Sequence, residues 1–433
     1  MEVSLFWFRR DLRLEDNAGL WKALKSGYKV QPIFIFDPFI LDKLEDRDDA
    51  RVSFIHHRLE LLDNQLRAFG SRLHVLYMPV LDAMQTLNQL YTVKNVFVNR
   101  DYEPYAKERD QGVYDFWSSL GVSMHGAKDH VIFEKNEVVK ADGSPYLVFT
   151  PYSKAWRAKL TEYYASSYPT LEYASEFLIG EPIDIPSLEQ MGFETTLIEF
   201  PESEVPQEII KRYDETRNYP ALAKSTTKLG VHLRFGTLSI RSLLQTALKL
   251  NSTFVNELIW RDFFAMALHY YPTSRAQSIK PKYDRIQWSN NESHFEAWCK
   301  GKTGYPLVDA GMRELNATGY MHNRVRMVVA SFLTKHLLID WRWGEAYFAR
   351  KLLDFDLSSN IGGWQWASGS GLDAAPYFRV FNPTSQQEKF DPEYKYIKKW
   401  VKEWGTPYYP KPIVEHKWAR ERCLETFKSA LSE

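Results

Sequence analysis

The sequence predicts an α/β domain followed by an all-helical one, and three observations carry that expectation. Short apolar runs alternate with amphipathic segments through about residue 125, helical spacing dominates beyond about residue 206, and an acidic, proline-containing stretch separates the two. The runs VSLFWF (3–8), VQPIFIF (30–36), LHVLYM (73–78), NVFVN (95–99) and VSMHG (122–126) read as buried strands. Between them, segment 51–69 places Val52, Ile55, Leu59, Leu62 and Leu66 at helical spacing. Strand and helix in alternation predict a Rossmann-like, doubly wound parallel sheet over residues 1–126. Its first strand-to-helix turn, FWFRRDLRLEDN, lacks GxGxxG, so this turn is not a pyrophosphate cradle.

Residues 127–205 read as an interdomain linker with no strong period, ending in IGEPIDIPSLEQMGFETTLIEFPESEVP. Residues 206–433 carry helical patterns in PQEIIKRYDETRN, SIRSLLQTALKL, TFVNELIWRDFFAMALHYY, MHNRVRMVVASFLTKHLLIDW and GEAYFARKLLDFDL. Several of these are apolar enough to be buried on most sides.

Hydrophobic content of 44% and charged content of 25% over 433 residues describe an ordinary soluble protein. The N-terminus has no basic region followed by an apolar run, and no uncharged stretch is long enough to span a bilayer. A cytoplasmic protein is expected. Cys299 and Cys423 cannot build a disulfide framework and lack metal-ligand spacing, so no metal site is expected. The net charge is zero, but residues 171–210 hold ten acidic and no basic side chains, whereas 211–350 hold 21 basic against 11 acidic ones. A basic face for a polyanion and a scatter of solvated lysines both fit that excess. Of 14 tryptophans, ten follow residue 200, which points to the second half as the place where rings matter.

Four constellations could carry chemistry. Ser225, Thr226 and Thr227 precede a helical run, where hydroxyls serve either as simple caps or as phosphate ligands. Glu257, Trp260 and Arg261 are three and four residues apart, so they share one helix face, as a site or as a surface ion pair beside a packed indole. Asn323, Arg326 and Met327 fall within about one turn, and a buried Arg326 would need a carboxylate such as Asp354. SNIGGWQWASGSG (359–371) sets Trp364 and Trp366 among small residues, as a packed corner or as rings facing something flat.

NIGGWQWASGSGLDAAPYFRVFNPTSQQEKFDP, with FWFRRDLRLEDN, ELIWRDFF and MHNRVRMVVASFL, resembles the photolyase and cryptochrome family from residue 5 to about 420. Within that family the chain is most similar to bacterial class I cyclobutane pyrimidine dimer photolyases. The resemblance implies FAD in the helical domain, contacted by Tyr213, Thr226, Thr227, Lys228, Leu229, Gly230, Arg261, Asn323, Asp354 and Asp356. It places Asn360 at the flavin's N5 and pairs Arg326 with Asp354. It implies an electron relay through Trp364, Trp341 and Trp288, and a slot walled by Trp260 and Trp366 for a flipped-out dimer. Glu257 would hydrogen-bond the pyrimidine edge, Met327 fits the cyclobutane-dimer branch, and Asn323, Arg324 and Gln386 would contact DNA around the lesion.

Two sites depart from the family pattern. Gly230 stands where a serine is usual, and YEPYAKERD places Tyr105 and Ala106 where folate-binding members carry a glutamate motif. A second, antenna chromophore is therefore expected only as one of open identity: a deazaflavin, another flavin or none. The expected function is light-driven repair of pyrimidine dimers in DNA by a monomer. The alternatives are a cryptochrome photoreceptor that signals without repair, disfavoured by the short stretch after FNPTSQQEKFDP, and a flavin redox enzyme that turns over in darkness.

Overall fold

The computed structural model describes residues 2–432, which divide into two compact units interleaved along the chain. Among the described residues the first comprises 2–134, 160–205 and 229–246, and the second 135–159, 206–228 and 247–432.

The first unit is built on a five-stranded parallel sheet in the order β3-β2-β1-β4-β5. Its strands are β1 (Glu2–Phe8), β2 (Lys29–Phe36), β3 (His74–Tyr77), β4 (Thr92–Asn99) and β5 (Ser123–Ala127), each within a few residues of the expected run. Parallel strands are covered on both faces, so they read as continuous apolar runs: β1 is buried from Val3 to Phe8 and β2 from Val30 to Phe36. The Ala50–Arg67 helix presents Val52, Phe54, Leu59, Leu62 and Leu66 inward. Ile55, counted with that stripe in the sequence, is only half-buried.

In an open parallel sheet the usual ligand crevice lies where strand order reverses, here between β1 and β4. The turn after β1 fills it with its own polar network. Asn99 Nδ2 donates to Asp11 at 2.5 Å and to Asn17 Oδ1 at 2.8 Å, and Arg9 is paired with Asp110 at 2.5 Å. Arg13 and Arg241 both grip Asp129 at 2.8 Å. Burial acts to raise the Asp129 carboxyl, but the two guanidinium groups outweigh it and hold the group below the ordinary carboxylate range. The missing GxGxxG and this saturated turn are the same fact seen twice.

The second unit is helical, and among its described residues no strand follows residue 206. Its core gathers Trp298, Met312, Val325, Val329, Phe332, Leu333, Trp341, Phe348 and Trp364. The stretch 127–205, expected to be irregular, contains the Phe149–Lys159 helix. That helix owes its order to distant packing: Trp156 Nε1 donates to Asp262 at 2.8 Å, and Tyr152 lies 5.1 Å from Phe263 between ring centroids. The run from Met321 to Trp341, read as a helical pattern, is not one continuous α-helix. The Asn323–Ser331 helix passes into a π turn over Phe332–His336 before the Trp341–Lys351 helix begins.

Candidate functional site: an aromatic and ionic cluster in the helical unit

The site is organised by the Leu357–Ser368 helix, whose first turn is capped by Asp356 accepting from Ser359 N at 3.0 Å. Asn360 and Trp364 are four residues apart and share a buried face, whereas Trp366, two residues on, faces elsewhere and is half-buried. Trp364 packs edge-on against Phe348 at 5.0 Å and against Trp298 at 6.1 Å. A Cβ on Gly344 would run into the Trp364 ring, so glycine is what lets the neighbouring helix approach. Gln365, between the two tryptophans, is buried and fixes the helix rotation. Its Nε2 donates to Ser274 O at 2.8 Å and Gln277 O at 3.0 Å, and its Oε1 accepts from Ile279 N at 2.9 Å.

Trp341 is buried at the start of the Trp341–Lys351 helix, capped by Asp340, with the Arg342 guanidinium 4.9 Å from its ring. Its indole N–H has no partner. Trp288 is half-buried and meets Phe427 edge-on at 5.8 Å. Asn360, expected to face a flavin atom, donates its amide to Glu345 Oε1 at 2.8 Å and Glu345 O at 3.1 Å. Burial raises the Glu345 carboxyl, with Asn360 opposing.

Arg326 and Asp354 form the ion pair the sequence suggested, at 2.9 Å, with Arg326 Nε donating to Met321 O at 2.7 Å. His322 caps the Asn323–Ser331 helix; burial, with Arg324 and Arg326 nearby, pushes its imidazole down to about 3, so it is neutral. Asn323 itself is exposed. Arg324 donates to Asn218 at 2.6 Å, lies over Phe390 at 4.4 Å and touches the Met327 sulfur at 3.8 Å. The Gln386 side-chain oxygen is buried without a partner.

On the Ser252–Tyr270 helix, Glu257, Trp260 and Arg261 lie half-buried. Glu257 is held by Arg217 at 2.5 Å, a partner that sequence spacing did not reveal. Burial raises the Glu257 carboxyl and Arg217 partly offsets that rise. Tyr213 is buried with its phenol raised by desolvation, and the Arg217 guanidinium lies 5.2 Å from its ring. Thr226 shares a 2.8 Å hydrogen bond with Tyr320, whose ring also faces the Lys228 ammonium at 5.2 Å. Lys228 has φ +54°, a sharp turn for a residue with a side chain. Thr227 continues the segment; Leu229, buried, and Gly230, which opens a five-residue helix, belong to the first unit.

Residues 4–172 match the family described as DNA photolyase, and residues 254–429 match the one described as FAD binding domain of DNA photolyase. The chain belongs to the DNA photolyase family. Deoxyribodipyrimidine photo-lyases of Salmonella typhimurium and Halobacterium salinarum are 36% and 34% identical to it, each pairing covering 99% of both chains. The crystal structure of a bacterial class III photolyase from Agrobacterium tumefaciens overlays with a TM-score of 0.88 at 31% identity, over 100% of this chain and 98% of that one. An archaeal photolyase from Sulfolobus tokodaii, solved with two FAD molecules, gives 0.84 at 36% identity over 99% and 100%. A Synechocystis cryptochrome gives 0.83 at 25% identity over 98% and 99%.

The cofactor of this photolyase-family chain is FAD, and the side chains of the helical unit suit it. The half-buried Arg326–Asp354 pair offers donors and acceptors to a polar heterocycle, while Lys228 and the Thr226 hydroxyl offer charge and hydrogen bonds to phosphate. Among the described residues no helix is long and apolar enough to cross a membrane. Sequence reading missed Arg217, Glu345, Tyr320 and Gly344. Only Gly344, flanked by Trp341, Trp343 and Tyr347, left a signal: a helical glycine among rings implies close packing.

Proposed function

We propose that this chain reverses cyclobutane pyrimidine dimers in DNA, using light, by one-electron transfer to a dimer drawn out of the duplex. The observation that carries the reading is the stripe of Glu257, Trp260 and Arg261 on one helix, in a chain matched end to end by deoxyribodipyrimidine photo-lyases. Reduced FAD, when bound, supplies the excited electron. The protein positions the partners. Trp260 and Trp366 wall the slot for the flipped-out bases by stacking. A radical anion is stabilised by a hydrogen-bond donor, and a carboxyl donates only when protonated, so the burial that raises Glu257 favours its role.

Trp364, Trp341 and Trp288 form the relay that returns electrons to oxidised flavin, with Trp288 the member open to solvent. Tyr213, Thr226, Thr227, Lys228, Leu229, Gly230, Arg261, Asn323, Arg326, Asp354, Asp356 and Asn360 hold the cofactor. Asn323, Arg324, Met327 and Gln386 meet the lesion and its flanks, and the basic excess of residues 211–350 neutralises phosphates. The protein acts as a cytoplasmic monomer. A second chromophore would rest in the first unit, where Tyr105 is stacked on Phe39 at 4.6 Å and hydrogen-bonded to Asp37, and where Tyr105 and Ala106 stand in place of the folate-binding glutamate motif.

The test is incubation of FAD-loaded protein with a thymine-dimer oligonucleotide under blue light. Restored thymine is expected. Photoreduction of the flavin without repair would instead support the cryptochrome reading, and turnover in darkness a redox enzyme.

A further inference from the structure

Trp260 is not a free-standing wall. Phe149, the first residue of the Phe149–Lys159 helix, lies flat on its indole with centroids 3.8 Å apart and planes 2° from parallel. Phe263 closes edge-on against Phe149 at 6.0 Å and against Trp260 at 5.5 Å. Phe264 leans on Trp260 at 5.4 Å, and one face of Trp260 is spent on Phe149, which leaves the other as the face for a base. The backbone around Phe149 is latched in turn. Asp373 N donates to Leu147 O at 3.0 Å, and the Phe149 N–H faces the Asp373 carboxylate, opposing the rise that burial imposes on it. Asp373 sits at φ +46° in the loop that leaves the Leu357–Ser368 helix. That loop is tied to the second wall: Ala375 N donates to Trp366 O at 3.2 Å, and Gly371 N to Gln365 O at 3.0 Å.

We propose that Phe149 and Asp373 are positioning residues that together set the gap between Trp260 and Trp366. Phe149 fixes the plane of one wall, and Asp373 fastens that support to the loop anchored on the other. The spacing of the two rings is then determined by a continuous run, Trp260 to Phe149 to Asp373 and, two residues on, from Ala375 to the Trp366 carbonyl. A slot held open in advance binds its ligand without the ordering cost of closing around it, and it discriminates by thickness. The role rests on the reading that these two rings receive a pyrimidine dimer; the positioning itself does not.

The experiment therefore has two arms. In FAD-loaded protein carrying 5-fluorotryptophan, with the Trp260 resonance assigned by W260F, the ¹⁹F line is expected to be sharp. It should broaden or split in F149A and in D373A, and recover in F149Y and D373N. A Trp260 line unmoved by D373A overturns the proposal, and that variant carries the test should F149A fold poorly. In the second arm, F149A and D373A should each weaken binding to dimer-containing DNA about tenfold. Binding to the undamaged oligonucleotide and flavin photoreduction should be unchanged, and the double variant no worse than either single one. Equal loss on damaged and undamaged DNA, or full additivity, overturns it. Wild-type protein with no preference for dimer DNA would instead sink the repair reading, while the fluorine arm still decides the positioning.

Discussion

Arg217 holds the Glu257 carboxylate at 2.5 Å, from a segment 40 residues away in sequence. Burial raises the carboxyl above its ordinary value and the guanidinium pulls it back, so the balance between them sets the pH at which Glu257 carries a proton. A raised acid is protonated below its folded pKa and loses that proton as pH rises through it. The repair yield with saturating dimer DNA should therefore fall as pH rises through this titration. Arg217→Met should move the midpoint upward, and Glu257→Gln, which keeps an N–H donor, should flatten the profile. A midpoint unmoved in Arg217→Met would remove Arg217 from this role.

Trp288 is half-buried whereas Trp341 and Trp364 are buried, so in the proposed relay it is the member an external donor would reach. Trp288→Phe should slow photoreduction of oxidised flavin by at least about tenfold while leaving repair by chemically pre-reduced protein intact. Equal loss of both activities would count against this wiring. Transient absorption of oxidised tryptophan reads the first and restored thymine in the oligonucleotide reads the second.

Gly344→Ala places a methyl against the Trp364 ring in a core that has no slack there. Overpacking of this kind costs about 1–3 kcal/mol, and here it also displaces the first relay ring. A lower urea midpoint together with slower photoreduction is expected; a neutral effect on both would show that the two helices separate freely.

Lys335 lies in the π turn, 1% exposed, with Nζ donating to Ser368 O at 2.8 Å and standing 3.7 Å from the Phe427 ring centroid. Burial pushes its ammonium down to about 8 from 10.5, with Cys423 opposing. Between those values the unfolded chain binds more protons than the folded one, so stability rises with pH across that window. Urea midpoints should show the rise in wild-type protein, and Lys335→Met should lack it and be the more stable of the two below about pH 8. Parallel profiles for the two proteins would place Lys335 in water.

The sheet was legible because a strand covered on both faces leaves an uninterrupted apolar run, as β1 and β2 do. The helical half was legible in its long amphipathic runs, but not where tertiary contacts decide. FTPYSKAW carries proline and rings and reads as irregular; it is helical because Trp156 and Tyr152 pack onto Asp262 and Phe263 far along the chain. In the ring-rich helix the packed-corner reading holds at Gly362, where a Cβ would enter the Phe264 ring, so the small residue allows tight approach.

The Arg326–Asp354 pair was readable because a buried guanidinium needs a carboxylate and the family pattern supplied one. Arg217 and Glu345 were not. Their partners, Glu257 and Asn360, are 40 and 15 residues away, and nothing in local spacing encodes such a meeting.

The offset of two residues between Trp364 and Trp366 makes the length of their helix, more than its letters, the quantity that must be preserved. One residue inserted ahead of Trp364 would turn both rings by about 100° around the axis, swinging Trp364 out of the core and Trp366 off the face it now presents. Substitutions along 357–363 can be absorbed singly; a change of reading length there would disable both sides in one stroke.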